Sequence, residues 1–393
     1  MISSTLLVKR FVKIGATAYG GPAIAGHMKN AIVKEYGWMK EPEFLQALAF
    51  CQMLPGPIFL MLSAYIGYRL RGIWGAFFSA VSFILPSFIL VVFLSFLYFQ
   101  WGSLAVIQGL FKGLGAIVVA LVLHAVISFG RPILPDWKMI LIAVLSFFGF
   151  LLRWNILLVF ILAGGLALLL RVRAAKAEPS DRSSGEISPR RKGKDSFFLG
   201  GLAILLAGIY LICYYFQPQI AEFFLTLAKI GALSFGGAFT IIPLIQYEVV
   251  DRFQWVTTKE FVDGIALGQV TPGPISITAT FLGYKLAGLW GAFVGTVAIY
   301  FPSFFIVILL IPQYDRLRGW VSIRRVQRGI LASFVAMLGL VFYNFARTTF
   351  VDIPSMIFTV GALIALLKKV DLAYILAGGA ALSILIFGGY PIF

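Results

Sequence analysis

The chain carries one ordered set of residues twice, and this duplication constrains the fold more than any other feature. Each copy runs from a tryptophan through a glutamate and a glutamine to Pro-Gly-Pro, and then to Gly-Tyr, Gly and Trp-Gly-Ala-Phe, at 38–77 and again at 255–293. The offset of about 216 residues is far longer than the unit of a stacked repeat protein, so the repeated unit is half of the protein. Glycine and proline are copied most faithfully, which indicates that the halves share unusual backbone conformations.

The composition places these halves in a bilayer. With 60% hydrophobic and 12% charged residues, the chain has too few charges to cover the surface of a soluble domain. Several apolar segments are long enough, or nearly so, to cross the hydrocarbon as helices. The sequence therefore predicts an all-α polytopic membrane protein. The predicted segments are Ile73–Gln100, Leu104–Phe129, Met139–Leu152, Ile156–Leu170, Phe197–Phe216, Leu289–Ile311, Ile330–Phe345, Ile353–Leu367 and Leu372–Phe387.

Charge and cysteine usage exclude several classes of protein. The net charge of +16 comes from basic residues in short loops, which is typical of positive-inside topology rather than of nucleic-acid binding. Cys51 and Cys213 have no metal or redox spacing, so we predict no metal and no cofactor. The polar stretch 171–196 is too short for a nucleotide-binding domain, which excludes an ATP-driven pump on this chain. The prediction is a secondary transporter and not an enzyme.

Loop charges predict that the halves are inverted. The loop at Gln100 is uncharged, whereas its counterpart contains Arg316 and Arg318, so only the second loop has cytoplasmic character. Inverted halves are a recurring transporter architecture. We predict a multi-pass protein of the inner or plasma membrane with a cytoplasmic N-terminus. The predicted domains are a first repeat at 1–171, a basic cytoplasmic linker at 172–196, an extra transmembrane helix at 197–216 and a second, inverted repeat at 217–393.

Each half contains two breaks flanked by segments too short to span a membrane, which predicts broken, re-entrant helices at these motifs. We call Gly20-Gly21 and Gly236-Gly237 the glycine breaks, and Pro55-Gly56-Pro57 and Pro272-Gly273-Pro274 the PGP breaks. Non-helical backbone at membrane depth requires burial in protein or a wet cavity, and the half-helix after a break favours an anion at its N-terminus. The alternative is that these residues only kink ordinary spanning helices. The candidate oxyanion-binding residues are Gly20, Gly21, His27, Gln52, Pro55, Gly56, Pro57, Gly236, Gly237, Gln269, Pro272, Gly273, Pro274, Ser276 and Thr278.

Side chains beside the breaks add hydrogen-bond donors. Gln52 and Gln269 precede the PGP breaks by one helical turn, and the PGP prolines are predicted in the first turn of the next helix. Ser276 and Thr278 follow the second PGP break where the first half is apolar, which predicts an asymmetric site. His27 has no histidine counterpart; it is either a titrating or anion-binding group or an ordinary satisfied polar residue.

A few ionisable residues are candidates for proton coupling or charge balance. Asp263 is the preferred proton-coupling carboxylate, because a neutral glutamine stands opposite it in the first half. Glu43 and Glu260 begin the segments before the PGP breaks and either cap those helices or carry protons. Lys13 and Lys229 either neutralise a divalent anion or snorkel to the interface.

The motifs resemble those of a known family. The order Phe11-x-x-x-Gly15, Gly20-Gly21-Pro22, His27, Trp38, Pro55-Gly56-Pro57 and Gly67-Tyr68-x-x-x-Gly72-x-x-Gly75-Ala76, repeated in the second half, resembles the chromate ion transporter family in its long-chain, two-domain form. The resemblance implies an inner-membrane carrier that exports chromate, a sulfate-like divalent oxyanion, using the proton motive force. Ala238 replaces Pro22 in the second copy, which also lacks His27, so unequal halves are expected.

The residues leave other functions open. An importer or channel for sulfate or another anion would use the same breaks, and a non-transporting membrane scaffold or lipid-handling protein would use none of them. The predicted partners are an oxyanion, protons and the lipid bilayer, without nucleic acid. A homodimer is one option for the assembly.

Overall fold

The fold is all-α, as predicted. The computed structural model describes residues 3–19, 23–173, 193–235, 238–313 and 321–387, and within these ranges the chain forms helices joined by short connections, without strands. The two glycine breaks and most of the predicted linker lie outside the described residues. The chain is a multi-pass membrane protein.

The helices occur in the same order in both halves, separated by one unpaired helix. The first half contains α1 (Ser4–Thr17), α2 (Ala23–Lys29), α3 (Glu41–Met53), α4 (Ile58–Trp101), α5 (Ala105–Ile133), α6 (Trp137–Leu151) and α7 (Ile156–Leu169). The unpaired helix is α8 (Gly193–Phe216). The second half contains α9 (Pro218–Leu233), α10 (Ile241–Ile245), α11 (Thr258–Val270), α12 (Thr278–Leu310), α13 (Val321–Thr349), α14 (Ile353–Leu367) and α15 (Leu372–Phe387).

Every predicted apolar segment is helical. Among the described residues, five helices are long and apolar enough to cross a membrane: α4, α5, α8, α12 and α13. Each half supplies two of them, and α8 lies between the halves. Helices α4 and α12 are each kinked at a repeat-related glycine, Gly72 and Gly288. The shorter α6, α7, α14 and α15, of 14 to 16 residues, fall below the length of about 20 residues needed to span.

Both PGP motifs separate helices. Helix α3 ends at Met53 and α4 begins at Ile58, whereas α11 ends at Val270 and a 3-10 turn, Ile275–Ile277, leads into α12. The predicted first-turn position of the prolines needs a correction. Pro57 directly precedes α4, and Pro274 caps the 3-10 turn with extended backbone angles of φ −79° and ψ 144°, because the chain must still reverse direction there.

Two π-helices were not predicted. Asn30–Glu35 follows α2 and Gln246–Arg252 follows α10. In each, an amide side chain donates to the carboxylate five residues later: Asn30 Nδ2 to Glu35 Oε1 at 3.3 Å and Gln246 Nε2 to Asp251 Oδ1 at 2.9 Å. A π-helix has an i to i+5 hydrogen-bond repeat, so this pair of side chains follows its period. Both halves therefore contain the π-helix and the hydrogen bond between its amide and carboxylate side chains.

The sequence distance between repeat-related residues increases by one at the second π-helix and later returns to its earlier value. The second π-helix has seven residues and the first has six, and Gly273 lies 217 residues after Gly56, whereas Gly288 lies 216 after Gly72. The 3-10 turn after the second PGP break absorbs this difference. Three residues of 3-10 helix rise about 6 Å, the rise of four residues in an α-helix. The extra residue is therefore held in the π-helix and compensated in the 3-10 turn.

The compact units of the structure cut across the sequence halves. The first unit comprises the described residues of Met1–Phe96, Glu178–Ile241 and Leu267–Arg318, and the second comprises those of Leu97–Ala177, Ile242–Ala266 and Gly319–Phe393. Each unit is thus built from both halves. The domain boundaries predicted from the duplication therefore describe the sequence repeat, and the compact units have other bounds.

Within the first unit, α4 and α12 approach each other through repeat-related residues. Phe77 and Phe88 of α4, with Phe293 and Phe304 of α12, line an apolar cavity of about 390 Å³. The unpaired helix α8 lines the same cavity through Leu202. Helix α8 therefore covers one side of the contact between the halves.

Within the second unit, the halves exchange packing partners. Helix α5 of the first half packs against α14 and α15, and α13 of the second half packs against α6 and α7. Ser383 Oγ donates to the Gly109 carbonyl oxygen at 2.6 Å, and Lys112 forms an ion pair with Asp352. Hydrogen bonds and an ion pair therefore join α5 to the other half.

Candidate functional site

Each PGP break in the first unit is hydrogen-bonded to the opposite half. The Gly56 amide donates to the Ser234 carbonyl oxygen at 2.7 Å, and the Gly273 amide donates to the Ala18 carbonyl oxygen at 2.7 Å. Ala18 caps the C-terminus of α1 and Ser234 that of α9, directly before the glycine breaks. Each PGP break is therefore hydrogen-bonded to the chain segment that leads into the glycine break of the other half. We call the two arrangements the crossed breaks.

Two serines that the sequence analysis missed hold the crossed breaks. Ser87 Oγ donates to the Pro272 carbonyl oxygen at 2.5 Å and Ser303 Oγ donates to the Gly231 carbonyl oxygen at 3.3 Å. Both serines are completely buried. They belong to Pro-Ser-Phe motifs that the repeat copies, and a copied hydroxyl in an apolar segment was the signal that could have identified them.

The serines explain why both PGP breaks contain glycine. A Cβ atom added to Gly56 would lie 2.1 Å from Ser303 Oγ, and one added to Gly273 would lie 2.1 Å from Ser87 Oγ. Their φ angles, +128° and +112°, are also strained for any residue with a side chain. Glycine is required here by conformation and by space.

Polar side chains surround the second crossed break. Gln269 is only 4% exposed, and its Nε2 has no hydrogen-bond partner. Ser276 Oγ donates to Tyr300 Oη at 2.9 Å, and Thr278 Oγ1 donates to the Ile275 carbonyl oxygen at 2.9 Å. Ser276 and Thr278 are also buried. Three predicted side-chain donors that flank Gly273 in sequence are thus buried, and those of Ser276 and Thr278 already donate within the protein.

The first crossed break has a different lining. Phe59 and Leu60 follow the break and are buried, and Gln52, the counterpart of Gln269, is exposed. The predicted asymmetry between the breaks is therefore present in the side chains that surround them.

His27 lies on the side of the second crossed break. Its Nε2 is 2.8 Å from Thr17 Oγ1, and Thr17 directly precedes Ala18, which accepts the hydrogen bond of Gly273. His27 is half-buried. The histidine joins α1 to α2 around the first glycine break.

The two glutamates cap helices. Glu43 accepts the Lys40 backbone amide at 3.1 Å and pairs with Arg69 at 2.9 Å. Glu260 accepts the Thr257 amide at 2.9 Å and its hydroxyl at 3.0 Å. These hydrogen bonds are the ones expected if the glutamates cap their helices, which was one of the two alternatives for Glu43 and Glu260.

The other predicted ionisable groups are distributed over both units. Asp263 lies in the second unit, is 3% exposed and accepts a hydrogen bond from Tyr98 Oη at 2.7 Å. Lys13 is exposed on α1 and Lys229 is half-buried on α9, both in the first unit. Among the described residues, no group of three histidine, cysteine or acidic side chains is arranged to hold a metal ion.

Known proteins resemble the chain over almost all of its length. A family model described as chromate transporter matches residues 5–169 and 221–384. A chromate transport protein of Cupriavidus metallidurans is 29% identical over 98% of this chain and 93% of its own length. A chromate transport protein of Pseudomonas aeruginosa is 32% identical over 90% and 83%. An uncharacterized transporter of Methanocaldococcus jannaschii is 31% identical over 96% and 92%. No solved structure matches the chain significantly.

Proposed function

Because the chain belongs to the chromate transporter family, we propose that it carries chromate across the cell membrane. The proposed direction is efflux, by alternating access, driven by the proton motive force. The observation that carries the proposal is the pair of crossed breaks, where helix ends, glycines and an unpartnered amide donor are buried together. Chromate is a divalent oxyanion that only accepts hydrogen bonds, and these elements supply donors.

The crossed hydrogen bonds limit which backbone groups bind the anion. The amides of Gly56 and Gly273 already donate to carbonyl oxygens, so they are not the anion donors in this conformation. After the second break, the amides of Ile277 and Thr278 donate to carbonyl oxygens within the 3-10 turn, which leaves the amides of Ile275 and Ser276 as donors at the start of that turn. We therefore propose that the anion binds to amides at the start of a turn and to side-chain donors, and that the glycines allow the close crossing.

For coupling, we propose that Asp263 carries the proton. It is a buried carboxylate with a phenol, Tyr98, at hydrogen-bond distance, and an ionisable side chain inside a membrane protein is a functional candidate by default. Glu43 and Glu260 already serve helix capping, so they are weaker candidates. Lys13 and Lys229 remain candidates for balancing the charge of the anion.

The proposal includes the membrane orientation and leaves one assembly option. The N-terminus and the linker are placed in the cytoplasm by the positive-inside rule, and a homodimer is the oligomer to test. An importer or channel for sulfate or another anion is the second candidate, because its donors would be the same. A scaffold or lipid-handling protein would leave the buried donor of Gln269 without a role.

Flux measurements test the proposed function. Purified protein in liposomes is expected to move chromate when a pH gradient is imposed, and to stop net transport when an uncoupler removes the gradient. Sulfate flux without dependence on the gradient would favour the channel alternative. Absence of flux for both anions would refute transport.

A neutral variant tests the coupling. Asp263→Asn is expected to abolish accumulation driven by the pH gradient while chromate exchange between equal concentrations continues, because the carboxyl proton is lost but the anion site is not. Asp136→Asn is the matched control, since Asp136 caps α6 and asparagine is an equally good N-cap. Gradient-driven accumulation by the Asp263→Asn variant would contradict the assignment.

A further inference from the structure

We propose that the oxyanion binds at only one of the two crossed breaks. The binding break is the one formed by Pro272-Gly273-Pro274 with the end of α1, and Gln269 is its specificity-determining donor. The other crossed break, at Gly56, holds the two halves together and does not bind the anion. This inference rests on the proposed function and adds to it a location and a donor.

The first argument is the unsatisfied amide of Gln269. A buried polar group without a partner destabilises the fold, and Gln269 Nε2 is such a group. A Cβ atom on the neighbouring Gly268 would lie 2.9 Å from Thr278 Oγ1, so the last turn of α11 lies against the start of α12. The turn of α11 that carries Gln269 therefore packs against the start of α12. An oxyanion bound at this turn would give the free amide an acceptor.

The second argument is the contrast between repeat-related positions. Ser276 and Tyr300 form a buried hydroxyl pair beside the second PGP break, whereas the first break is followed by Phe59 and Leu60. A dianion placed among apolar side chains would lose its hydration without compensation. The two breaks share the Pro-Gly-Pro motif, but they differ in whether their side chains can replace the water that surrounds an anion.

The third argument is the opposite side of the same crossed break. The Gly273 amide reaches α1 at Ala18, and His27 contacts Thr17 at that end of α1. The counterpart of His27 in the second half is Pro243, which has no side-chain donor. The end of α1 therefore adds a histidine to the Gly273 break, whereas the hydroxyls of Ser234 and Ser303 at the Gly56 break already donate to the Gly231 carbonyl oxygen.

Conservative variants test the inference. Methionine matches glutamine in length and lacks its amide, so Gln269→Met removes the donor with little change of volume. We measure the KM for chromate in proteoliposomes and the unfolding temperature in detergent, for this variant and for Gln52→Met at the repeat-related position. Gln108→Met, at a half-buried position in the first turn of α5 where the amide donates to the Ser103 carbonyl oxygen at 3.4 Å, controls for the loss of an amide away from the breaks.

We expect Gln269→Met to raise the KM for chromate at least tenfold without lowering the unfolding temperature, because it removes an unsatisfied buried donor. Gln52→Met is expected to change KM less than twofold. An unchanged KM for Gln269→Met, an equal rise for both variants, or a fall in unfolding temperature of more than about 10 °C for Gln269→Met would overturn the inference. If the unaltered protein moves no chromate, the proposed function fails first, and this inference with it.

Discussion

Replacing Gly56 by alanine tests whether the crossed break is held by steric fit. The new Cβ would lie 2.1 Å from Ser303 Oγ and 2.7 Å from Ser303 Cβ, so the buried serine has to move, which costs about 1–3 kcal/mol. The φ angle of +128° adds about 1–3 kcal/mol of backbone strain. We expect Gly56→Ala to lower the free energy of unfolding by about 4 kcal/mol in total.

A double-mutant cycle separates these two causes. Ser303→Gly alone should cost about 1 kcal/mol, because glycine has a lower helix propensity than serine and the hydrogen bond to the Gly231 carbonyl oxygen is lost. It removes both serine atoms that the new Cβ meets, so only the backbone strain and this cost remain in the double variant. We expect the double variant to lose about 3 kcal/mol, less than Gly56→Ala alone, with a coupling of about 2 kcal/mol.

Denaturant unfolding in detergent, followed by tryptophan fluorescence, measures the cycle. Gly165→Ala is the control, because a Cβ at Gly165 meets nothing within 4 Å and alanine in a helix should be neutral or stabilising. If the double variant is as unstable as Gly56→Ala or more so, the steric explanation is refuted. The cycle of Gly273 with Ser87 should give the same sign.

Two further predictions concern ion pairs. Asp352→Ala should destabilise the protein by about 1 kcal/mol more than Asp352→Asn. The reason is that Asp352 accepts a hydrogen bond from the Ser355 amide at the start of α14, and asparagine keeps that cap. Denaturant unfolding of both variants measures the difference, and equal losses would contradict the capping role. The hydrogen bond from Lys29 to Glu41, with the charge of Lys29, lowers the pKa of Glu41 below its ordinary value of 4.5, so this pair stabilises the fold above that pH and the effect is lost as the pH falls through the lowered pKa. Lys29→Met should return the pKa of Glu41 towards 4.5 in a carbon-13 NMR titration, and an unchanged value would exclude the pairing.

The sequence predicts the helices well because their signals are local. Each apolar segment, such as Leu104–Phe129, is recognisable from composition alone, and Pro-Gly-Pro cannot continue a helix wherever it occurs. The same local chemistry locates the breaks and the asymmetry between Ser276 and Phe59. These features depend on a few neighbouring residues.

The pairing of the breaks could not be predicted, because it joins residues distant in sequence. The described hydrogen bonds join Gly273 to Ala18 and Gly56 to Ser234, and no local sequence signal indicates these partners. The roles of Ser87 and Ser303 follow only from that crossing. The π-helices were missed because hydrophobic periodicity does not separate them from α-helices, although the copied i to i+5 amide and carboxylate pair was available.

The extra residue of the second π-helix bears on how the two halves diverged. One residue inserted into an ordinary α-helix turns everything after it by about 100°, which would expose the buried face of α11 to lipid. A π-helix widens locally and keeps the following helix in place, and the 3-10 turn then restores the original spacing before Gly288. The halves could therefore accumulate insertions and deletions without losing their common architecture. A comparison of them at one fixed spacing would align Gly56 with Pro272 and miss the glycine that corresponds to it.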